Sequence, residues 1–456
     1  MEIQELAAQQ RTYFNTGATR TAAFRRQALE RLRAALLEHE EELNAALLAD
    51  LNKAPAESYF TETGMVLEEL RFQLKHFEKW ARPRRVITPL AQFPSRGELL
   101  PEPYGCVLIM APWNYPVQLC LIPLVGAIAA GNCAVVKPSA YAPASSAAIA
   151  RLLGEIFPPE FVAVVEGGRA ENQALLEQKF DYIFFTGSPA VGREVMSKAA
   201  RHLTPVTLEL GGKSPCVVDA TAKLDLAAKR LVFGKLLNCG QTCVAPDYLL
   251  IDGRVKDQFL SHVKKWMTAM YEQDPLDNQG YVRMINRKHY DRVMGLIDPA
   301  KVVYGGRGDP DTLKIQPTIL DGVSPEDPVM QEEIFGPLLP VLTYDTLDRA
   351  VEFINSRPHP LALYLFSEDR AAQERFLRQV PFGGGCVNDT IIHLATSRMG
   401  FGGVGDSGMG SYHGKLSFDT FSHRKSVVKK STWMDLPVRY APYTALQEKL
   451  LRLFLR

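Results

Sequence analysis

The sequence predicts an α/β fold: an open parallel sheet with helices on both faces, followed by a second α/β unit. Three observations predict it. First, short apolar, β-rich runs recur between 105 and 210: GCVLIM (105–110), CAVVK (133–137), FVAVV (161–165), DYIFF (181–185) and PVTLEL (205–210). Helical stretches separate them, for example 143–156 and 189–202. Parallel strands need long crossovers, so strand–helix alternation at this interval builds a parallel sheet. Second, a similar rhythm follows from 211 to about 400. Its strands are DYLLID (247–252), KVVY (301–304), LLPVLTY (338–344), LALYLFS (361–367) and GCVND (385–389), with helices at 254–272, 286–297, 346–356 and 369–380. Third, 456 residues at roughly 150 per domain leave room for two or three domains.

The flanks read differently. Residues 1–80 are helical, since Phe24, Ala28, Leu32, Ala35, Leu36, Leu43 and Leu47 recur at helical spacing between charged residues. Pro83, Pro89, Pro94, Pro101 and Pro103 then make 82–104 an extended connection or edge ribbon. After 400 the chain is glycine-rich, FGGVGDSGMGSYHG (401–414), which lets it pass close to a ligand or another backbone. The tail, 443–456, is a short amphipathic helix. Leu446, Leu450, Leu453 and Phe454 fall on one face, with Lys449, Arg452 and Arg456 beside them. Such a helix can lie on a membrane surface, but packing on the protein or a partner subunit is the favoured expectation, because short helices need packing.

Composition excludes several classes. Apolar residues are 46% and charged residues 23%, a soluble globular balance rather than a disordered or collagen-like one. A formal net charge of +1 leaves no global field to recruit nucleic acid or anionic lipid. The cysteines are odd in number, scattered and without CxxC, so a reducing, cytoplasmic location is expected rather than a disulfide framework. The N-terminus carries no signal-peptide pattern. The apolar stretch 117–130, broken by Gln118 and Pro123, is too short to span a membrane.

Open parallel sheets bind ligands at the carboxyl ends of their strands, and chemistry-bearing segments lie there. GQTCVAP (240–246) puts Cys243 in a loop, as a nucleophile or as a small buried hydrophobe. TLELGGKSP (207–215) puts Glu209 at an apolar strand end, where burial would tune it as a general base unless a cation pairs with it. APWNYP (111–116) offers the Asn114 amide to a developing oxyanion, or forms an ordinary turn. In FFTGSPAVG (184–192), Ser188 caps a helix and Gly187 admits an anion at its N-terminus, though the spacing to Gly192 is not GxGxxG. Lys137 in VVKPS either reaches a ribose or is solvated. In MQEEIFGP (330–337), Glu333 can hold ribose hydroxyls and Phe335 can pack on a flat ring, or both sit at a surface turn. Histidines are scattered and no metal motif occurs, so neither a metal site nor a Cys–His dyad is indicated. Tyr115, Phe233 and Phe401 suggest an apolar funnel near these segments.

The order PWNYP, KPS, FTGS, ELGGKSP, GQTC, EEIFGP, FGGVGDSGMG in one chain resembles the NAD(P)-dependent aldehyde dehydrogenase superfamily over residues 1 to about 430. ELGGKSP and GQTC are highly specific to it. The short N-terminal part, LNCGQTCVAPDY and SYHGK are similar to the class 3 and fatty-aldehyde branch. The resemblance implies a Rossmann-like cofactor domain (1–81 and 105–209), a catalytic domain (210–400), an oligomerisation arm (82–104 and 401–430) and a tail (431–456). It implies Cys243 as nucleophile, Glu209 as general base, and Asn114 with the Cys243 N–H as oxyanion hole. Trp113, Lys137, Ser139, Gly187, Ser188, Gly192, Glu333 and Phe335 would contact NAD or NADP. Tyr115, Phe233 and Phe401 would line the route for a medium or long aliphatic or aromatic aldehyde, in a homodimer.

The implied chemistry is coherent. An aldehyde has no leaving group, so a thiolate must first add, giving a tetrahedral adduct from which hydride can depart; water must then clear the thioester. A CoA-acylating relative would have to keep water from that thioester, so a base at Glu209 argues against it. Intact Cys243, Glu209 and Asn114 argue against a non-catalytic binding protein on this fold, and the absence of a legible His partner argues against a cysteine hydrolase. Two departures stand out. Ala140 occupies a position where many relatives carry Glu, and Cys239 sits four residues from the nucleophile, within reach of a reversible disulfide.

Overall fold

The structure, a computed structural model, describes residues 2–454; Arg456 of the tail lies outside them. Helices Ile3–Asn15, Ala22–Glu38, Glu40–Leu51 and Gly64–Trp80 form the N-terminal part. Thr21 caps the second by accepting from the Phe24 N–H at 3.2 Å. The expected helical stripe is the buried one: Leu32, Leu36, Leu43 and Leu47 are inaccessible to solvent.

These helices pack against Pro116–Ala130, which is buried on every side. Periodicity could not reveal this helix, because a helix apolar all round has no amphipathic stripe. Its ends are still written in sequence. Pro116 occupies the first turn, where its missing N–H costs nothing, and Gly131, at φ 97°, closes it in the left-handed region.

Among the described residues the first sheet has six strands, in the order Gly408–Met409, Val206–Leu210, Tyr182–Gly187, Cys106–Met110, Cys133–Lys137 and Val162–Val164. All pairings are parallel except the first. The second sheet has seven strands, ordered Val302–Tyr304, Thr318–Leu320, Leu338–Tyr344, Tyr248–Asp252, Pro215–Val218, Ala362–Phe366 and Gly384–Val387. It too is parallel but for one edge pair. The fold is therefore the mixed α/β architecture expected.

A ribbon of Arg84–Val86, Ser95–Pro103 and Ser422–Lys430 stands apart, the last two pairing along their whole length. Within 401–430, only 422–430 joins it. Gly408 instead pairs with Glu209, so the glycine-rich stretch edges the first sheet beside that carboxylate. A Cβ at Gly402 would stand 3.2 Å from Glu209 Oε1. The tail helix Ala445–Phe454 forms, with Leu446 and Leu453 about two-thirds exposed (67% and 69%) and Leu450 half-buried.

Candidate active site

Strand ends from both sheets meet around Cys243. The loop that carries it follows helix Leu224–Leu236, through three left-handed residues, Asn238 (φ 53°), Cys239 (φ 55°) and Gly240 (φ 73°). Only glycine fits at 240, where a Cβ would strike the Gly336 carbonyl. Hydrogen bonds hold this strained turn. The Gln241 amide donates to the carbonyls of Asn238 (3.1 Å) and Arg283 (3.0 Å), and accepts from the Ile285 N–H at 3.0 Å. The Asn238 N–H donates to Glu57 at 2.8 Å.

The APWNYP loop is stitched directly to this turn. Asn238 Nδ2 donates to the Asn114 carbonyl at 2.9 Å, and Asn114 Nδ2 donates to the Gln241 carbonyl at 3.0 Å. One amide hydrogen of Asn114 remains free for a ligand. Beneath the loop lies a pair with no exposed surface: Lys53 Nζ donates to Glu62 at 2.7 Å and sits 4.4 Å above the Tyr115 ring. The other Glu62 oxygen accepts from the N–H groups of Val117 (3.1 Å) and Gln118 (2.9 Å), anchoring the start of Pro116–Ala130. A buried ion pair is tolerated only when its remaining hydrogen-bonding capacity is met, as here. Sequence reading missed this pair, because a Lys and a Glu within helical segments look like solvated surface.

Cys243 lines two cavities at once. The larger, about 530 Å³, also receives Trp113, Asn114, Gly187, Ser188, Glu209, Glu333 and Phe335. The smaller, about 80 Å³, receives Tyr115, Phe233 and Phe401. The expected site residues thus separate into two compartments that share Cys243. Lys137, Ser139 and Gly192 line neither. Lys137 Nζ donates to the carbonyls of Pro138 and Gly167, both at 2.7 Å, at the rim of the first sheet. Gly192 lets helix Pro189–Ala200 approach its neighbouring strand, since a Cβ there would lie 2.6 Å from Leu210.

The larger cavity is suited to a dinucleotide. Ser188 caps the helix Pro189–Ala200 by accepting from the Val191 N–H, so a helix N-terminus opens beside Gly187. Phe335, at φ 51°, meets Trp113 edge to face with centroids 5.4 Å apart. Glu333 Oε1 is buried without a partner, and a Cβ at Gly211 would run into the Glu333 carboxylate and displace it. Burial, with Asp247 second, pushes Glu333 up to about 8.

Glu209 is buried and neither carboxylate oxygen has a hydrogen-bond partner. Burial alone pushes it well above the usual carboxylate range, which favours its neutral form. Burial, with Glu333 and Glu209 behind it, also pushes the Cys243 thiol up. Nothing structural explains an orphaned carboxylic acid facing a cavity, and such perturbed groups mark functional sites.

Two expectations about the other cysteines change. Cys239 is fully buried and its thiol donates to Tyr281 Oη at 3.4 Å, in a different hydrophobic cluster from Cys243. A Cys–His contact does exist, with Cys386 Sγ 3.7 Å from His393 Nδ1. Burial pushes that thiol up and the imidazole down to about 4, both away from a thiolate–imidazolium pair.

The chain matches the model of the aldehyde dehydrogenase family over residues 1–427. It belongs to that family. Among its relatives, the 4,4'-diaponeurosporen-aldehyde dehydrogenase of Staphylococcus aureus is 47% identical over 97% of this chain and 96% of its own. The dimeric NADP-preferring aldehyde dehydrogenase of the dog, Canis lupus familiaris, is 44% identical over 97% and 98%, respectively. The substrate-bound structure of Staphylococcus aureus AldH superposes with a TM-score of 0.98 at 45% identity, covering 100% of this chain and 99% of that one. Relatives named as family 3 members agree with the branch that the motifs indicate. The protein is an aldehyde dehydrogenase, and its family uses NAD or NADP.

Proposed function

We propose that this aldehyde dehydrogenase converts uncharged medium or long aliphatic and aromatic aldehydes to carboxylic acids through a thioester on Cys243. The observation that carries the reading is the meeting of both cavities at Cys243, with an unpartnered Glu209 carboxyl in the wall of the larger. The aldehyde enters by the small cavity, walled by Phe60, Met65, Phe233, Leu237, Ile391 and Phe401, with no acidic, lysine or arginine side chain in its lining. The Cys243 thiolate adds to the carbonyl carbon, and the free Asn114 amide hydrogen with the Cys243 N–H holds the oxyanion, each donor worth about 3 kcal/mol. Gly187, Ser188, Glu333 and Phe335 around the larger cavity would hold NAD or NADP, which would supply the hydride acceptor for that carbon. Glu209 then takes a proton from water, which attacks the thioester and frees the acid. Appearance of NAD(P)H absorbance with hexanal, without CoA, tests this; turnover only with added CoA would overturn it.

The reading includes dual cofactor use. The Lys137 ammonium bonds to Gly167, which brings half-buried Ser139, exposed Ala140 and exposed Arg169 to one rim. Ala140 offers neither an acceptor for a ribose 2′-hydroxyl nor repulsion to a 2′-phosphate, and Arg at such a rim accommodates that phosphate. NADP should be used at least comparably to NAD. Ala140→Glu should shift kcat/KM toward NAD by about 5–150-fold, the worth of one charge contact. A wild-type preference for NAD above about 100-fold, or unchanged selectivity in the variant, contradicts it.

A homodimer is also part of the proposal. The ribbon exposes Val86 and Val428, and the loop beside it Ile87, Leu90 and Phe93, and one relative is named dimeric. Sedimentation equilibrium should give twice the 50.8 kDa chain mass; a single-chain mass at micromolar concentration removes the dimer. Among the described residues no helix is long and apolar enough to cross a membrane.

A further inference from the structure

The small cavity is not uniformly apolar. Six polar side chains line it: Thr61, Tyr115, Gln118, Thr242, Tyr412 and His413. Three are engaged within the protein. Thr61 Oγ1 donates to the Glu57 carbonyl at 2.7 Å, and Tyr115 Oη is 2.6 Å from Thr242 Oγ1. The other three are not. Gln118, 6% exposed, uses its backbone N–H on Glu62, but among the described residues its side-chain amide makes no protein hydrogen bond. The Tyr412 hydroxyl likewise finds no protein partner, although the residue is 2% exposed. His413, 4% exposed, has an unpartnered Nε2.

Their chemistry is specific. The backbone carbonyls of Leu394 and Thr396 lie beside the His413 ring and favour the N–H on Nδ1, which leaves the unpartnered Nε2 as the free nitrogen. Nε2 of a neutral ring is then an acceptor only. Burial pushes the imidazole down to about 4, so the ring is neutral throughout the working range. The Gln118 amide supplies a donor and an acceptor, and Tyr412 a hydroxyl. Buried polar groups are normally paired; a wall with one buried orphan, His413 Nε2, beside two polar groups that have no protein partner, and with no charged side chain among the described residues, fits a ligand group that both donates and accepts without carrying charge.

We infer that Gln118, Tyr412 and His413 form a subsite for a hydroxyl group on the aldehyde's chain, so that the preferred substrates are hydroxylated aldehydes. The inference rests on the dehydrogenase reading above and names its substrate class more closely. A hydroxyl donates to His413 Nε2 and accepts from the Gln118 amide or the Tyr412 hydroxyl. A carboxylate would place its charge against an acceptor nitrogen in a dry wall, and an ammonium would find no counter-charge.

The test compares kcat/KM for ω-hydroxyaldehydes of four to ten carbons with the unsubstituted aldehydes of equal length. In an apolar pocket a hydroxyl lowers kcat/KM at every length. Here it should raise it about tenfold at one length, the worth of one good hydrogen bond. That gain should fall to within about twofold of unity in Gln118→Leu and in His413→Phe, the ratio being read within each variant so that general losses cancel. No gain at any length in the wild type, or a gain that survives both substitutions, overturns the subsite while leaving the dehydrogenase intact. Absence of NAD(P)H production from every aldehyde, plain and hydroxylated, overturns the parent reading instead.

Discussion

Cys243→Ala is expected to abolish aldehyde oxidation, by at least about 10⁴-fold in kcat, the scale on which removing a covalent nucleophile acts. Among the described residues the side chain is the only thiol lining either cavity, and it lines both. Without it no tetrahedral adduct forms, and the Asn114 amide and the Cys243 N–H have no oxyanion to hold. The loop should survive the change. Its geometry is fixed by Gln241, Asn238, Gly240 and Glu57, none of which bonds to the sulfur. Dinucleotide binding, measured by calorimetry alongside turnover, should therefore match the wild type. Retention of even a few per cent of wild-type turnover by a sequence-verified variant would defeat the nucleophile assignment.

Glu209→Gln should slow the steady state by about 10²–10⁴-fold while leaving the first turnover fast. Glutamine has the shape of the neutral acid that burial favours at Glu209, so the fold loses little. It cannot accept a proton from water, so the thioester accumulates and NAD(P)H appears as a burst followed by a slow phase. The pH dependence separates the two roles. Both Glu209 and Cys243 are pushed up, so more base and more thiolate appear as pH rises. Wild-type steady-state turnover should climb with pH through the titration of Glu209. In Glu209→Gln that limb should vanish from the slow phase, whereas the burst should still climb with Cys243. A burst depressed as much as the steady state would point to a different role for Glu209.

How much of this was legible follows from burial and periodicity. The parallel strands could be read because they are buried on both faces and spelled in Val, Ile, Leu and Phe between helices. Pro116–Ala130 could not, because apolar residues all round leave no stripe. The glycine-rich stretch signalled close backbone approach, yet only the pairing of Gly408 with Glu209 shows what is approached. Among site residues, Cys243, Glu209 and Asn114 were named by motif, and the fold brings them together. Lys53 and Glu62 stayed hidden, since nothing local distinguishes a buried charge pair from two surface charges. Tyr412 and His413 were in plain sight within SYHGK, but their place in the cavity wall, and the unpartnered Nε2 of His413, are facts of packing, invisible to spacing. Lys137, Ser139 and Gly192 illustrate the converse: strand-end or helix-start positions look alike in sequence whether they open to a cavity or to a carbonyl and a packed leucine.

The central claim is a covalent acyl intermediate on Cys243. Acid-quenching Glu209→Gln with hexanal and NADP during the slow phase, then mapping the chain by peptide mass spectrometry, tests it directly. The account predicts a hexanoyl thioester on the peptide containing Cys243, at a stoichiometry matching the burst, and none on Cys239 or Cys386. A burst of NADPH with no acyl group on Cys243, or with the acyl group on another residue, would contradict it.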